Sequence, residues 1–225
     1  MSSRHAEDES WLPPEPSRAS RAIALRSTAS YRGSIVDAAT NREHLFESDL
    51  EQGFIHIALA SPEVVELHEQ PPAVAFIDDD GRRAEHTFDA LLVTRSGERV
   101  AIDVKPRSKI GRSRILDIQR RIREQVGTRF ADRYLVRTED HIHPDDVADA
   151  RLVLRARRLA DPAADAAIAE ALPFLAGWCR LVDLVDAIGG GSAAFNAAVR
   201  ALGSGVLSAR GDARISIDAF VRRAA

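Results

Sequence analysis

The stretch Thr87-Phe-Asp-Ala-Leu-Leu-Val93, followed by Val100-Ala-Ile-Asp-Val-Lys-Pro106, decides how this 225-residue chain folds. Two apolar, β-branched runs flank a Ser-Gly turn, a pattern that predicts a β-hairpin. An acid interrupts each run, Asp89 in the first and Asp103 in the second. Lys105 follows Asp103 by two residues, and in an extended strand this spacing puts both side chains on one face. The sequence thus predicts a cluster of two acids and a lysine, which costs folding energy unless it is paired or binds a metal.

The composition is that of a globular protein without a global charge signature. With 45% hydrophobic and 29% charged residues, the chain can bury one ordinary core and a small appended module. A net charge of -3 means that any contact with nucleic acid must come from a local basic patch. The single cysteine, Cys179, cannot form an internal disulfide or a zinc site alone, which favours a reducing compartment. We expect a cytoplasmic protein without a membrane partner, because the N-terminus lacks a signal core and no apolar run approaches about 18 residues.

The N-terminal part of the chain predicts an arm, a hairpin and a helix. Residues 1–31 are polar and rich in Ser, Arg, Pro and Glu, which is typical of a flexible arm. Residues 34–46 predict a hairpin, and apolar residues at helical spacing predict a helix that starts at Ser48. Ser48 and Glu51 have the spacing of a capping box, so the motif alone favours a helix-capping role for Glu51.

The segment after Pro106 is strongly basic. Its cationic side chains include Arg107, Lys109, Arg112, Arg114 and Arg121. Isoleucines at helical spacing lie among them, so the segment predicts an amphipathic helix with a basic outer face. Such a face is either solvated or holds a phosphate backbone, and its place after the acid and lysine cluster favours DNA binding by these five residues. Further elements are predicted as strands at 64–67, 73–77 and 132–137 and as a helix at 144–158.

A boundary is predicted at residues 161–162, where the composition becomes alanine-rich. Helices and then two short strands are predicted at residues 163–172, 175–188, 193–202, 206–209 and 213–217. This order resembles a winged helix. Arg200 is the one basic residue of the helix at 193–202, so a structural or partner-binding role is favoured at least as strongly as DNA reading.

In this order of elements the chain resembles the TnsA-like endonuclease subunits of heteromeric transposases, within the PD-(D/E)xK nuclease superfamily. The resemblance covers about residues 32–158. Its motifs are Ser48-Asp-Leu-Glu51, Glu69-Gln-Pro71, Thr87-Phe-Asp89 and Asp103-Val-Lys-Pro106. It implies an α/β fold with a restriction-endonuclease-like mixed β-sheet core flanked by helices at 32–160. The arm at 1–31 precedes this core, and a small, mainly helical, winged-helix-like module at 161–225 follows it.

The resemblance also implies a role for each polar residue of the predicted cluster. Glu51 would be the helix-borne acid, with Asp89 as the central metal ligand, Asp103 as the second acid and Lys105 as the catalytic lysine. Asp89, Asp103 and the carbonyl of Val104 would hold Mg²⁺, for which Mn²⁺ substitutes, and Glu51 would complete the site directly or through water. Lys105 would position the attacking water, help to deprotonate it or stabilise the transition state.

Partners are implied in the same way. TnsA-like subunits cut the 5' ends of a mobile element by phosphodiester hydrolysis, while an integrase-type transposase subunit cuts and joins the 3' ends. An AAA+ ATPase regulator contacts the C-terminal region of such nucleases. We therefore expect double-stranded DNA as substrate, in the nucleoid of a bacterial cytoplasm. Two alternatives stay open, a standalone nuclease in phage defence or DNA repair and a catalytically silent DNA-binding scaffold.

Overall fold

The computed structural model of the protein describes residues 12–21, 31–211 and 214–224 and shows a mixed α/β chain. The strands in these residues are β1 (Gly33–Asp37), β2 (Arg42–Phe46), β3 (Val64–Glu69), β4 (Val74–Ile77), β5 (Arg83–His86), β6 (Ala90–Thr94), β7 (Arg99–Val104), β8 (Arg133–Arg137), β9 (Cys179–Arg180), β10 (Leu207–Ala209) and β11 (Phe220–Arg223). The α-helices are α1 (Asp49–Ala60), α2 (Ile110–Ser113), α3 (Ile115–Gln125), α4 (Pro144–Arg158), α5 (Pro162–Ala171), α6 (Leu181–Ala187) and α7 (Gly191–Gly203). Among the described helices, none is both long and apolar enough to cross a lipid bilayer.

A four-stranded mixed sheet with the order β3-β6-β7-β8 is the centre of the fold. β6 pairs antiparallel with β3 and β7, whereas β8 runs parallel to β7. Because β7 lies between two strands and is covered on both faces, its residues from Val100 to Val104 are all buried. The predicted α/β class and mixed sheet are confirmed. β4 and β5 form a separate hairpin, of which only β4 was predicted.

Two apolar cores lie on opposite faces of this sheet. On one face, Phe54 of α1 packs in a cluster with Ile102 of β7. On the other face, Ile122 of α3 and Phe88 pack in a cluster with Ala101. Neighbouring residues of β7 thus belong to different cores, as expected for a strand whose side chains alternate between faces.

The basic segment after β7 forms two α-helices, whereas the sequence predicted a single helix. Arg114 has a left-handed backbone with a φ of 53° and separates the short α2 from α3. This turn redirects the chain, so that Ile115 and Ile122 of α3 are buried against the rest of the fold.

Residues 161–211 and 214–224 build a smaller unit that packs on α4. Its elements follow the order helix, strand, helix, helix, strand, strand, and its strands form a sheet with the order β10-β11-β9. Leu181, Ala198 and Val221 are among its fully buried residues. Val199 of α7 packs in a cluster with Val153 of α4, so the unit is attached to the larger core.

Two elements of this smaller unit were predicted incorrectly. The helix expected at 175–188 begins only at Leu181, after the short strand β9. The last strand is β11, whereas residues 213–217 were expected to form it. The carbonyl of Ile217 instead accepts a hydrogen bond from the first turn of α6, and the N–H of Ile215 donates to Asp149 of α4. These contacts hold both isoleucines outside the sheet.

We predict that Ile102→Ala lowers the free energy of unfolding by about 2–5 kcal/mol, because it removes a buried side chain from the central strand. Ile102 is 1% exposed. Urea unfolding followed by circular dichroism measures the change. Leu116→Ala is the matched control, since Leu116 is 58% exposed and its truncation should cost less than about 0.5 kcal/mol. Equal losses in both variants would contradict the position of β7 at the centre of the fold.

Candidate active site

Asp89 and Asp103 lie close together near one end of two paired strands. The register of β6 and β7 ends with the pair Ala90 and Ile102, so Asp89 directly precedes β6 and Asp103 is the next residue of β7. The charge of Asp103 raises the pKa of Asp89, as expected for neighbouring carboxylates. The Nζ of Lys105 donates a hydrogen bond to Asp89 Oδ2 at 2.9 Å. The structure therefore brings together the two acids and the lysine that the hairpin pattern predicted.

The pair of Lys105 and Asp89 is largely shielded from solvent, with side chains 29% and 14% exposed. Burial raises the pKa of Asp89; Lys105 lowers it in part, and the charge of Asp103 raises it again. Burial by itself lowers the pKa of Lys105, but the attraction of Asp89 outweighs that effect and the net pKa is raised. Lys105 is thus an ammonium group at neutral pH, which donates hydrogen bonds and does not take up a proton.

Two side chains that the sequence analysis did not identify hold Asp103, which is fully buried. The Nε2 of His86 lies 2.9 Å from Oδ1 and 3.1 Å from Oδ2, and the Nε2 of Gln119 donates to Oδ2 at 2.7 Å. These contacts offset part of the cost of burying a carboxylate. Gln119 lies on the buried face of α3 between Ile115 and Ile122. A polar residue among the apolar positions of a helix is a pattern from which its functional role could have been predicted. No spacing in the sequence links His86 to Asp103.

Glu51 caps the helix on which it lies. Its N–H donates to the Ser48 hydroxyl oxygen at 3.2 Å, and that hydroxyl donates to Glu51 Oε1 at 3.0 Å. The N–H of Glu47 donates to Oε2 at 2.8 Å, so the predicted capping box is confirmed. Burial and then the charge of Asp89 raise the pKa of Glu51, while the cap hydrogen bonds and Lys105 lower it in part. Glu51 thus caps α1 and also lies within the electrostatic field of the site.

The oxygen atoms of this site suit a hard divalent cation. Three carboxylates face one ammonium group, so the cluster carries an excess of negative charge when it is ionised, and Mg²⁺ prefers oxygen ligands. The N–H of Val104 donates to Asp89 Oδ2 at 2.7 Å. Since a strand residue directs its N–H and C=O to the same side, the Val104 carbonyl also points toward β6. The predicted ligands Asp89, Asp103 and Val104 are therefore all of the oxygen type, and the Val104 carbonyl points to the side of β7 on which Asp89 lies.

Glu51 and Asp103 both have their carboxylate oxygens engaged in hydrogen bonds within the protein. Across residues 12–21, 31–211 and 214–224, no three His, Cys, Asp or Glu side chains are placed to hold a metal ion together. The role of Glu51 at a metal, direct or through water, stays a prediction.

A loop after β3 connects the site to the N-terminal segment. The N–H of Gln70 donates to the Asp89 carbonyl at 3.0 Å, and the N–H of Ser20 donates to the Gln70 carbonyl at 2.9 Å. The Nε of Arg21 donates to Gln70 Oε1 at 3.0 Å. Residues 12–21 therefore support the loop that positions the backbone of Asp89. They belong to the predicted arm at 1–31, of which residues 1–11 and 22–30 lie outside the described part of the chain.

A buried polar cluster anchors the same segment. Glu69 is 1% exposed and lies 2.8 Å from the Nδ1 of His44. The hydroxyl of Ser17 donates to the other oxygen of Glu69. Burial raises the pKa of Glu69, but these hydrogen bonds outweigh it and the net pKa is lowered. Glu69, the first residue of the Glu69-Gln-Pro71 motif, therefore serves to attach the N-terminal segment.

Internal ion pairs engage three of the five predicted DNA-binding residues. Arg107 pairs with Asp140 at 2.7 Å. Arg114 and Arg121 share the carboxylate of Asp79, in the turn between β4 and β5. The other two, which form no ion pair with a described residue, are Lys109 and Arg112. The basic face therefore has less net positive charge than the sequence suggested, and DNA binding there stays a prediction.

Comparisons with known proteins do not identify a family. A scan against protein-family models finds no match, and a search of curated proteins finds none. Function is therefore inferred from the geometry and charge of the site.

We predict that Glu51→Gln removes a pH-dependent loss of stability. A carboxyl group whose pKa is higher in the folded than in the unfolded protein stabilises the fold fully at pH values below its unfolded pKa, here about 4.5. That stabilisation is lost as the pH rises through the pKa of the folded state. Glutamine keeps the capping geometry without the charge. The stability of the variant relative to the wild type should therefore increase from pH 4.5 to 7.5 in urea unfolding. Glu63→Gln, at an exposed loop position, is the control, and parallel curves for wild type and Glu51→Gln would contradict the prediction.

We also predict that Ser17→Ala lowers the free energy of unfolding by about 1–3 kcal/mol, because a buried carboxylate loses a hydrogen bond. Ser192→Ala removes an exposed hydroxyl that bonds to no described residue, and should change stability by less than about 0.5 kcal/mol. Thermal and urea unfolding measure both variants. If Ser17→Ala behaves like the control, residues 12–21 do not contribute to the stability of the fold.

Proposed function

We propose that the protein is a metal-dependent DNA endonuclease that hydrolyses phosphodiester bonds. The observation that carries the proposal is the pair Asp89 and Asp103, on adjacent strands, with Lys105 bonded to Asp89 at 2.9 Å. Two carboxylates that can hold a divalent cation beside one permanent ammonium group suit a reaction in which negative charge develops on phosphate oxygens. The excess negative charge and the raised pKa of Asp89 also favour a site that binds a cation.

Each residue has a defined part in this mechanism. Asp89, Asp103 and the Val104 carbonyl would hold Mg²⁺ or Mn²⁺, and the bound cation would lower the pKa of the attacking water and offset charge on the scissile phosphate. His86 and Gln119 fix the Asp103 carboxylate through the contacts described above. Their hydrogen bonds keep the metal-binding oxygens in place without occupying every lone pair.

Lys105 and Glu51 act on the water and the phosphate. The ammonium group of Lys105 donates hydrogen bonds to phosphate oxygens and stabilises the transition state, a role that its raised pKa favours. Glu51 accepts the proton of the attacking water, because its raised pKa makes it a stronger base than an ordinary carboxylate. The products are a 5'-phosphate and a 3'-hydroxyl.

We assign this activity to a TnsA-like subunit that cuts the 5' ends of a mobile element. The support is the sequence resemblance together with a mixed sheet that carries the candidate site on β6 and β7. The order of elements in residues 161–224, with their three-stranded sheet, supports a winged-helix-like module. Partners on this proposal are double-stranded DNA, an integrase-type transposase and an AAA+ ATPase regulator, in the bacterial cytoplasm.

We predict that the protein nicks supercoiled plasmid DNA with Mg²⁺ or Mn²⁺ and that Asp89→Asn and Lys105→Ala each reduce the rate by about 100-fold or more. Asp80→Asn is the matched control, because Asp80 is an exposed carboxylate in the turn between β4 and β5 and should leave the rate unchanged. Agarose gels with and without EDTA measure the rate. The assay is repeated with the integrase-type transposase expected as partner.

The outcomes separate the candidate functions. Nicking that requires the transposase supports the transposition role, and nicking by the protein alone supports a standalone nuclease. DNA that is bound but stays intact under all these conditions contradicts the nuclease proposal and favours a silent scaffold.

A further inference from the structure

A cavity of about 350 Å³ lies between the β1–β2 hairpin, α1 and α4, and we call it the α4 pocket. Ile35, Leu59 and Leu154 give it an apolar wall. Its volume is in the range of pockets that bind small ligands. None of its lining residues belongs to the candidate active site, so the proposed nuclease chemistry does not account for the pocket.

Positive charge dominates the lining of the α4 pocket. The arginines that line it, all from α4, are Arg151, Arg155, Arg157 and Arg158. Asp37 is the one acid among the described lining residues, and its carboxylate already accepts hydrogen bonds from the Ala39 N–H at 3.1 Å and the Thr40 hydroxyl at 2.8 Å. Within the described ranges, no carboxylate forms an ion pair with any of the four arginines. In this respect the pocket differs from the basic face on α3, where Asp79 neutralises part of the charge.

The four arginines differ in how far the fold already uses them. Arg157 donates to three backbone carbonyls of α1 and α7, and Arg158 donates to one carbonyl of β1 at 2.6 Å. Arg151 makes one side-chain hydrogen bond, to Gln52 at 2.9 Å, and Arg155 makes none to a described residue. A guanidinium group has five N–H donors, so Arg151 and Arg155 keep most of theirs for a ligand.

The positive charge of the arginines also acts on His56. Burial lowers the pKa of its imidazole, and the charges of Arg151 and Arg158 lower it further, although a hydrogen bond with the Gln52 carbonyl works in the opposite direction. A neutral histidine adds no charge, and the arginines remain the source of the field.

We propose that the α4 pocket is an anion site that binds the phosphate group of a nucleotide. Guanidinium groups bind phosphate oxygens through paired N–H donors, and Arg151 and Arg155 supply them here. The apolar wall receives the sugar or base that the phosphate carries. The nucleotide is either free or part of a DNA strand, because both present the same phosphate chemistry.

The position of the pocket makes the DNA source possible. Glu51 and Leu59 are eight residues apart on α1. That separation is about 12 Å along the helix axis, which is the length of about three or four nucleotides of a DNA strand that rises about 3.4 Å per nucleotide. The inference that the pocket binds a DNA strand rests on the proposed nuclease function, whereas the inference that it binds a free nucleotide does not.

The test compares wild type with the double variant Arg151→Ala/Arg155→Ala. Fluorescence anisotropy measures the binding of labelled duplex DNA at several salt concentrations. EDTA is present in this assay, so that metal-dependent cleavage of the DNA does not occur. Titration calorimetry measures the binding of dAMP and of inorganic phosphate. The control is Arg82→Ala/Arg210→Ala, which removes two exposed positive charges elsewhere. Arg155→Ala alone, which breaks no described side-chain contact, replaces the double variant if that variant does not fold.

If the pocket binds DNA, the double variant should lose about tenfold in DNA affinity, and the slope of log affinity against log salt should become shallower by about 1–2. If it binds a free nucleotide, the wild type should bind dAMP and the double variant should not. The control should match the wild type in both assays. Unchanged binding in both assays, equal losses in the control, or a wild type that binds neither ligand would overturn the proposal. Binding in EDTA with no metal-dependent nicking, either alone or with the transposase, would disprove the nuclease and leave the anion site intact.

Discussion

The antiparallel register between β6 and β7 is the constraint on which the candidate site depends. It brings Asp89, directly before β6, beside Asp103 of β7, and Lys105 follows Asp103 by two residues. A slip of one residue would turn Asp103 to the opposite face. The apolar residues of β7 prevent that slip, because Ile102 and Ala101 belong to cores on opposite faces of the sheet. Packing and site geometry are therefore specified by the same strand.

Segments that are far apart in the sequence hold the charges of this site. His86 comes from a hairpin outside the central sheet, Gln119 from α3, and both contact the buried Asp103. Gln70 holds the backbone of Asp89, and residues 12–21 in turn hold Gln70. Such support is needed because three carboxylates repel one another where burial raises the pKa of Asp89 and Glu51. Keeping repelling charges together in this way costs stability, which the hydrogen bonds from distant segments offset in part.

The sequence predicts those features that depend on local patterns. The capping box at Ser48, the helix from Pro144 to Arg158 and the electrostatic contact of Asp103 with Lys105 each follow from residue spacing. Features that depend on contacts between distant segments were missed. His86 reaches Asp103 only because β5 folds back over the sheet, and Arg114 and Arg121 meet Asp79 through a turn between other strands. Residues 12–21 also have the composition of an arm, but they bond to residues that lie far along the sequence, among them Arg42, Glu69 and Gln70.

Anomalous X-ray scattering from crystals of the protein grown with Mn²⁺ tests the proposed metal site most directly. If Asp89 and Asp103 hold the metal, an anomalous peak should lie within coordination distance of their carboxylates and should be lost in Asp89→Asn. A structure at saturating Mn²⁺ that shows no peak there, with Lys105 still bonded to Asp89, would contradict the metal-dependent site.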